Sequence, residues 1–173
     1  MNMDEDIYEE AKKAAKDSLA LIDPQKPFGR DLFEAIARVS VSAAFEAVCV
    51  RENPETKRTE VLLVQRPADD TAYPGEWHCP GSVLRPGESV EDVFRRIGES
   101  ELAGKIEVRD FAGISNNPKE KRGHFYSVIY VCDVTGIGGT WYPSENLPVR
   151  TIKHHRNVII PIAIKKYLDS EHS

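Results

Sequence analysis

Pro67, Pro74-Gly75, Pro80-Gly81 and Pro86-Gly87 punctuate one stretch of the chain at short intervals. No helix and no long strand can run through it, because proline removes a backbone donor and restricts the residue before it. Residues 67–76 therefore read as a loop. Trp77 to Leu84 is extended but broken at Pro80-Gly81, where a bulge or a sheet edge is expected. The flanks are regular. Val41 to Arg51 reads as a strand, Glu52 to Lys57 as a polar turn, and Val61 to Arg66 as the returning strand. On the far side, Ser89 is a natural helix N-cap, with Glu91 and Asp92 in the first turn. Val90, Val93, Phe94 and Ile97 then follow helical spacing, so a helix is expected over 89–103.

The remaining pattern completes an α/β (α+β) layout. Residues 4–22 and 31–38 are expected helices that pack on the main body. Strands are expected at 105–115 and 124–134, a turn at 136–139, and a further extended stretch at 140–142. A last helix is expected over 156–169, with Pro161 tolerated in its first turn. Strands alternating with single helices give a mixed sheet covered by helices.

Composition narrows the function classes. There are 23 Lys+Arg against 28 Asp+Glu, a net charge of −5, and no basic stripe that would mark a nucleic-acid binder. No apolar run approaches the roughly 20 residues that span a bilayer. The first residues are acidic, unlike a signal peptide. Cys49, Cys79 and Cys132 show no CxxC spacing, so reduced, buried thiols in a cytoplasmic protein are expected.

Residues 75–104 carry a resemblance to a known family. Glu88, Arg96 and Glu101 fall in the register of the Nudix box, G-x5-E-x7-R-E-U-x-E-E-x-G-U, in which U is apolar. Ser82 stands at its first Gly, and Gly81 before it matches the Gly whose carbonyl often reaches the metal in that family. Leu62 to Pro67 resembles the strand before the box, and Gly139 to Tyr142 a later strand. The resemblance spans roughly residues 40–168 and implies a Nudix-fold α/β/α sandwich over 40–173. Residues 1–39 are left as a helical extension. It also implies a hydrolase of nucleoside-diphosphate-linked compounds, such as nucleotide sugars, that uses Mg²⁺ or Mn²⁺. In such a site the Gly81 carbonyl and Glu101 hold the metal, and Glu88 and Arg96 pair structurally.

The chain departs from the box at Ser82, Ile97 and Ser100, so only Glu101 remains of the helix carboxylates. The stretch Phe94 to Leu102 is similar to the reduced box of GDP-mannose mannosyl hydrolases, a branch in which attack occurs at the sugar carbon. That likeness implies Arg66 and Arg96 at the leaving diphosphate, although the branch's catalytic His has no counterpart before Trp141. Arg122 is a further expected substrate contact. Glu101 and His124 are the candidates for handling the proton of attacking water. His78 is read as structural or substrate-lining, and His154-His155-Arg156 as a solvated basic cluster. Trp77, Trp141, Tyr73 and Phe125 either stack on a base or belong to the core. The competing reading is an inactive Nudix-fold module that binds nucleotide or protein. A third is a homodimer formed through residues 4–22.

Overall fold

The computed structural model describes residues 3–171. Helix α1 (Met3–Leu19) and helix α2 (Arg30–Val39) precede the strands β1 (Val41–Glu52), β2 (Thr59–Gln65), β3 (Trp77–His78) and β4 (Gly81–Val83). Helix α3 (Val90–Ile97) runs into a wide, π-type turn at Gly98–Leu102. Strands β5 (Lys105–Glu120), β6 (Gly123–Thr135) and β7 (Thr140–Pro143) follow, and a second wide turn (His155–Ile159) leads into α4 (Ile160–Glu171).

The strands form one mixed, seven-stranded sheet in the order β3-β2-β1-β6-β5, with β4 on β1 and β7 on β2. β1 and β6 are parallel, in register from Val41 opposite His124 to Cys49 opposite Cys132. On its other edge β1 changes partner. Ala44 to Glu46 pairs with β4, and Val50 to Glu52 pairs with β2. The sheet divides where that change happens, and Glu46 is the last residue paired to β4.

Alternation along β1 sorts the core into two layers. Phe45, Ala47 and Cys49 face α3, with Val93, Phe94, Ile97 and Leu102. Val48 and Val50 face α4, with Ile159, Ile160, Ala163 and Tyr167. All three cysteines are free and buried, as expected.

The helix at the box starts where its sequence says. Ser89 accepts from the Asp92 N–H while Asp92 accepts from the Ser89 N–H, a reciprocal capping box. It ends at Ala103, which adopts a left-handed φ of 48°.

Three expectations need correction. Helix α2 packs on β6, through Phe33 against Phe125 at 6.5 Å, but α1 does not pack on the main body. Every α1 side chain from Asp4 to Leu19 is exposed. Its apolar side is largely Ala11, Ala14 and Ala15, which offer little area to bury. The β5–β6 hairpin runs longer than expected and closes over Lys121-Arg122. Gly123 makes that closure possible: its φ is 149°, and a Cβ there would lie 2.1 Å from the Ala37 carbonyl oxygen. Finally, Pro161 lies beyond the first turn of a helical run that begins at residue 153. The wide turn before it, in which the Ile160 N–H reaches back to His155, is where a residue without an N–H is accommodated.

Candidate active site

The divided sheet leaves a cavity of about 280 Å³ beside β1. Glu46 enters it from β1, Arg66 from the end of β2, His78 from β3, and Gly81 and Ser82 from β4. Arg122 and Phe125 come from the β5–β6 hairpin and its return strand, His154 and His155 from the start of the last helical run, and Phe33 from α2.

Two of the expected arginines meet here. Arg66 Nη1 donates to Asp70 Oδ2 at 3.2 Å, and Arg122 Nη2 donates to Asp70 Oδ1 at 2.6 Å. Burial alone would raise the Asp70 pKa. The N–H groups of Tyr73 and Ala72, then Arg122 and Arg66, more than offset it and hold the carboxyl below its ordinary value. Asp70 thus ties the two guanidinium groups into one cationic wall.

Arg96 is placed differently. It forms a two-pronged pair with Glu88, with Nε on Oε1 at 2.6 Å and Nη2 on Oε2 at 2.7 Å. It also donates to Ser82 Oγ and to the Val83 carbonyl. Those hydrogen bonds, chiefly Arg96 with help from the Arg85 N–H, keep the Glu88 pKa down. The departure at Ser82 acquires a purpose, because its hydroxyl accepts from Arg96 Nη1.

Glu101 comes from the wide turn after α3 and lies beside His78, Gly81 and Arg66, next to the cavity rather than in its lining. An i→i+5 turn shifts Glu101 off the core stripe that continues from Ile97. The Gly81 N–H lies close enough to the Glu101 carboxylate to lower the pKa of the group. That carboxylate lies 4.0 Å from His78 Nε2. Burial, then the nearby Arg66, push the His78 pKa down to about 3, so this imidazole is neutral and the approach is no ion pair. Among the described residues, Glu101 Oε2 and Arg66 Nε are buried with no hydrogen-bond partner. Burial lifts the Glu101 pKa to about 7, against the pull of Arg66 and the Gly81 N–H.

His124 does not join them. Its ring contacts Asn116 Oδ1 on the β5–β6 hairpin, and it is absent from the cavity lining. Ile97 is fully buried in the core, and Ser100 Oγ donates to the Arg96 carbonyl. Neither box position offers the site anything.

Several site residues were missed. Glu46 is 7% exposed, and burial raises its pKa to about 7, with Ser127 and Arg66 opposing. The signal was a lone carboxylate inside the apolar run Ala43 to Val48, which should be costly without a reason. Asp70 gave no signal beyond its place in a polar loop. The reading of His154-His155-Arg156 as a solvated cluster is corrected. His155 is buried, its Nδ1 accepts from the Cys79 N–H, and burial drives its pKa well down. His154 bonds Ser115 at 3.0 Å on the cavity wall. Of the aromatic candidates, Phe125 and Tyr73 line the cavity, whereas Trp77 and Trp141 pack against the core clusters.

The profile of the NUDIX domain matches residues 44–162, well over half of the chain.

The chain belongs to the NUDIX domain family.

A 47-residue stretch is 34% identical to the nucleoside triphosphatase NudI of Enterobacter sp. (strain 638), covering 27% of this chain and 33% of that protein. The match thus spans about a third of that relative. Among solved structures, the fold resembles a MutT Nudix hydrolase from Burkholderia pseudomallei, with a TM-score of 0.57, 19% identity, and coverage of 68% of this chain and 94% of that one. It also resembles a MutT/nudix family protein from Enterococcus faecalis, with a TM-score of 0.60, 17% identity, and coverage of 98% and 75%.

Nudix hydrolases generally use divalent metals. Among the described residues no three His, Cys, Asp or Glu side chains form a ready-made cage. Yet Mg²⁺ is commonly held by one or two carboxylates together with water and substrate phosphate. The unpartnered Glu101 Oε2 beside Gly81 fits that sparser demand.

Proposed function

We propose that this Nudix chain hydrolyses a nucleoside-diphosphate-linked substrate, a nucleotide sugar or similar compound, with Mg²⁺ or Mn²⁺. One observation carries the reading: Glu101 keeps a buried carboxylate oxygen without a partner close to Arg66, whose guanidinium group is tied through Asp70 to that of Arg122. Glu101 and the Gly81 carbonyl would hold the metal. When bound, the metal supplies charge neutralisation at the leaving diphosphate.

The protein's own part is to bind and to orient. Arg66 and Arg122 present positive charge to the diphosphate, and Asp70 keeps them from repelling one another apart. Arg96 acts on the diphosphate side indirectly, by fixing Ser82 and Val83 at the rim through its bond to Glu88. Of the two residues expected to manage a proton, Glu101 is at the site and His124 is turned to Asn116, so the proposal rests on Glu101. A single helix carboxylate suits attack at a sugar carbon, as in the GDP-mannose mannosyl hydrolase branch. Residues 40–173 form the Nudix domain in this reading, and residues 1–39 an extension that lends Phe33 to the cavity wall. Three buried thiols suit a reducing compartment such as the cytoplasm. No described helix is long and apolar enough to cross a membrane.

The test is turnover. The chain and its Glu101→Gln variant are incubated with Mg²⁺ or Mn²⁺ and a panel of nucleoside-diphosphate sugars and dinucleotides. Turnover by the native chain that is lost in the variant is expected. The core placement of Ile97 and the Ser100 bond to Arg96 favour a second reading, an inactive nucleotide-binding or protein-interaction module. Nucleotide binding with no turnover on any of the panel would establish it.

A further inference from the structure

We propose that Glu46, on β1, is a second metal-holding carboxylate of this site, supplying from a strand what box positions 97 and 100 do not supply from the helix. The inference rests on the hydrolase reading above and adds to it a ligand that the box pattern does not contain.

Position comes first. Glu46 is the last residue of β1 paired with β4, so it stands at the lip of the gap in the sheet. It faces Gly81 across the pair, and the Gly81 N–H is in turn close to the Glu101 carboxylate. The two carboxylates therefore flank one residue. The packing is so close that a Cβ on Gly81 would lie 2.5 Å from Glu46 Oε2. Only glycine leaves that oxygen its place.

The second observation is the state of the carboxylate itself. Ser127 Oγ donates to Oε1 at 3.2 Å, which fixes the orientation of the group. Oε2 is not among the buried atoms that lack a partner; it opens to the cavity that this side chain, otherwise more than nine-tenths buried, lines. A buried carboxylate held by one oxygen and open to a cavity at the other is costly unless it takes up a proton or a cation completes it. The local charges leave room for one. Glu46, Glu101, Asp70 and Glu120 are four carboxylates against two guanidinium groups, Arg66 and Arg122; Asp70 engages both of those and Glu120 pairs with Arg122. The hard-oxygen pair that remains matches the donor chemistry of Mg²⁺ or Mn²⁺.

The test measures the metal directly. The full chain is titrated with MnCl₂ in the presence of GDP, and free Mn²⁺ is followed by its electron paramagnetic resonance signal. Glu46→Gln, Glu101→Gln and Gly81→Ala are compared with the native chain, and near-ultraviolet circular dichroism checks folding. Gln at 46 retains an acceptor for Ser127. Mn²⁺ affinity is expected to fall at least about tenfold in each Gln variant. It should also fall in Gly81→Ala, which displaces the Glu46 carboxylate without altering its chemistry. Weakened binding in Glu101→Gln with native affinity in Glu46→Gln overturns the role of Glu46 and leaves the hydrolase reading standing. Failure of the native chain to bind Mn²⁺ overturns both metal assignments, and turnover in EDTA then shows whether hydrolysis stands without them.

Discussion

Two carboxylate–guanidinium groupings lie a few residues apart and are built on opposite principles. In the first, Glu88 and Arg96 satisfy each other with two short bonds, and Ser82 and Val83 take further donors of Arg96. In the second, Arg66 and Glu101 each keep a buried polar atom unpaired. A satisfied pair holds a loop in shape. An unsatisfied one holds free energy in reserve for something that arrives later. Under the proposed hydrolase reading, the difference separates the scaffold of the box from its working part.

The sharpest way to break this contrast is to neutralise one carboxylate from each grouping. Glu101→Gln should lower turnover about a hundredfold or more. It should leave the melting temperature unchanged or raised, because the buried oxygen it alters has no partner to lose. If melting falls as it does in Glu88→Gln, the two groupings do the same work and the contrast fails. Arg96→Ala should be the largest change in stability, about 3 kcal/mol by urea unfolding, since it strands Glu88 with little solvent. Arg96→Lys should recover only part of that, because an ammonium cannot match the fork.

Acid provides a milder probe. The folded pKa values of Glu88 and Asp70 lie below their ordinary values of 4.5 and 3.8. The stability they contribute is therefore full above those ordinary values and is lost as pH falls through the lower folded ones. Between neutral pH and about pH 5 the raised pKa values of Glu46 and Glu101 and the lowered ones of His78 and His155 act in opposite directions. Below about pH 5 urea midpoints should drop, with Glu88→Gln flattening part of that drop. The smallest effect expected is from removal of residues 1–22. With every side chain from Asp4 to Ile22 exposed, stability should change by less than about 0.5 kcal/mol.

Much of the scaffold was legible because it is local. Ser89 and Asp92 sit three residues apart, so the cap is written in adjacent letters. Glu88 and Arg96 are eight apart across a turn and a helix start, and the box pattern pairs them. The working part is assembled from distant segments. Asp70 and Arg122 are 52 positions apart, and Glu46 and Ser127 are 81 apart. Nothing in the periodicity of β1 says that it changes partner at Glu46, because that depends on where β2 and β4 arrive. His155 looked solvated because two neighbours are polar, yet the wide turn before α4 directs it inward to Cys79. Glu101 was found by register alone, and the turn that presents it was not foreseen.

The contact between Gly81 and Glu46 also sets an order of descent. A side chain at 81 would collide with the Glu46 carboxylate, whereas a shorter residue at 46 collides with nothing at 81. A lineage that gives up Glu46 first can decorate position 81 against the Phe45 carbonyl alone, whereas one that decorates position 81 first must also displace the Glu46 carboxylate. Homologues that keep an acidic residue at 46 should keep glycine at 81, and those with a larger residue at 81 should already have lost the acid.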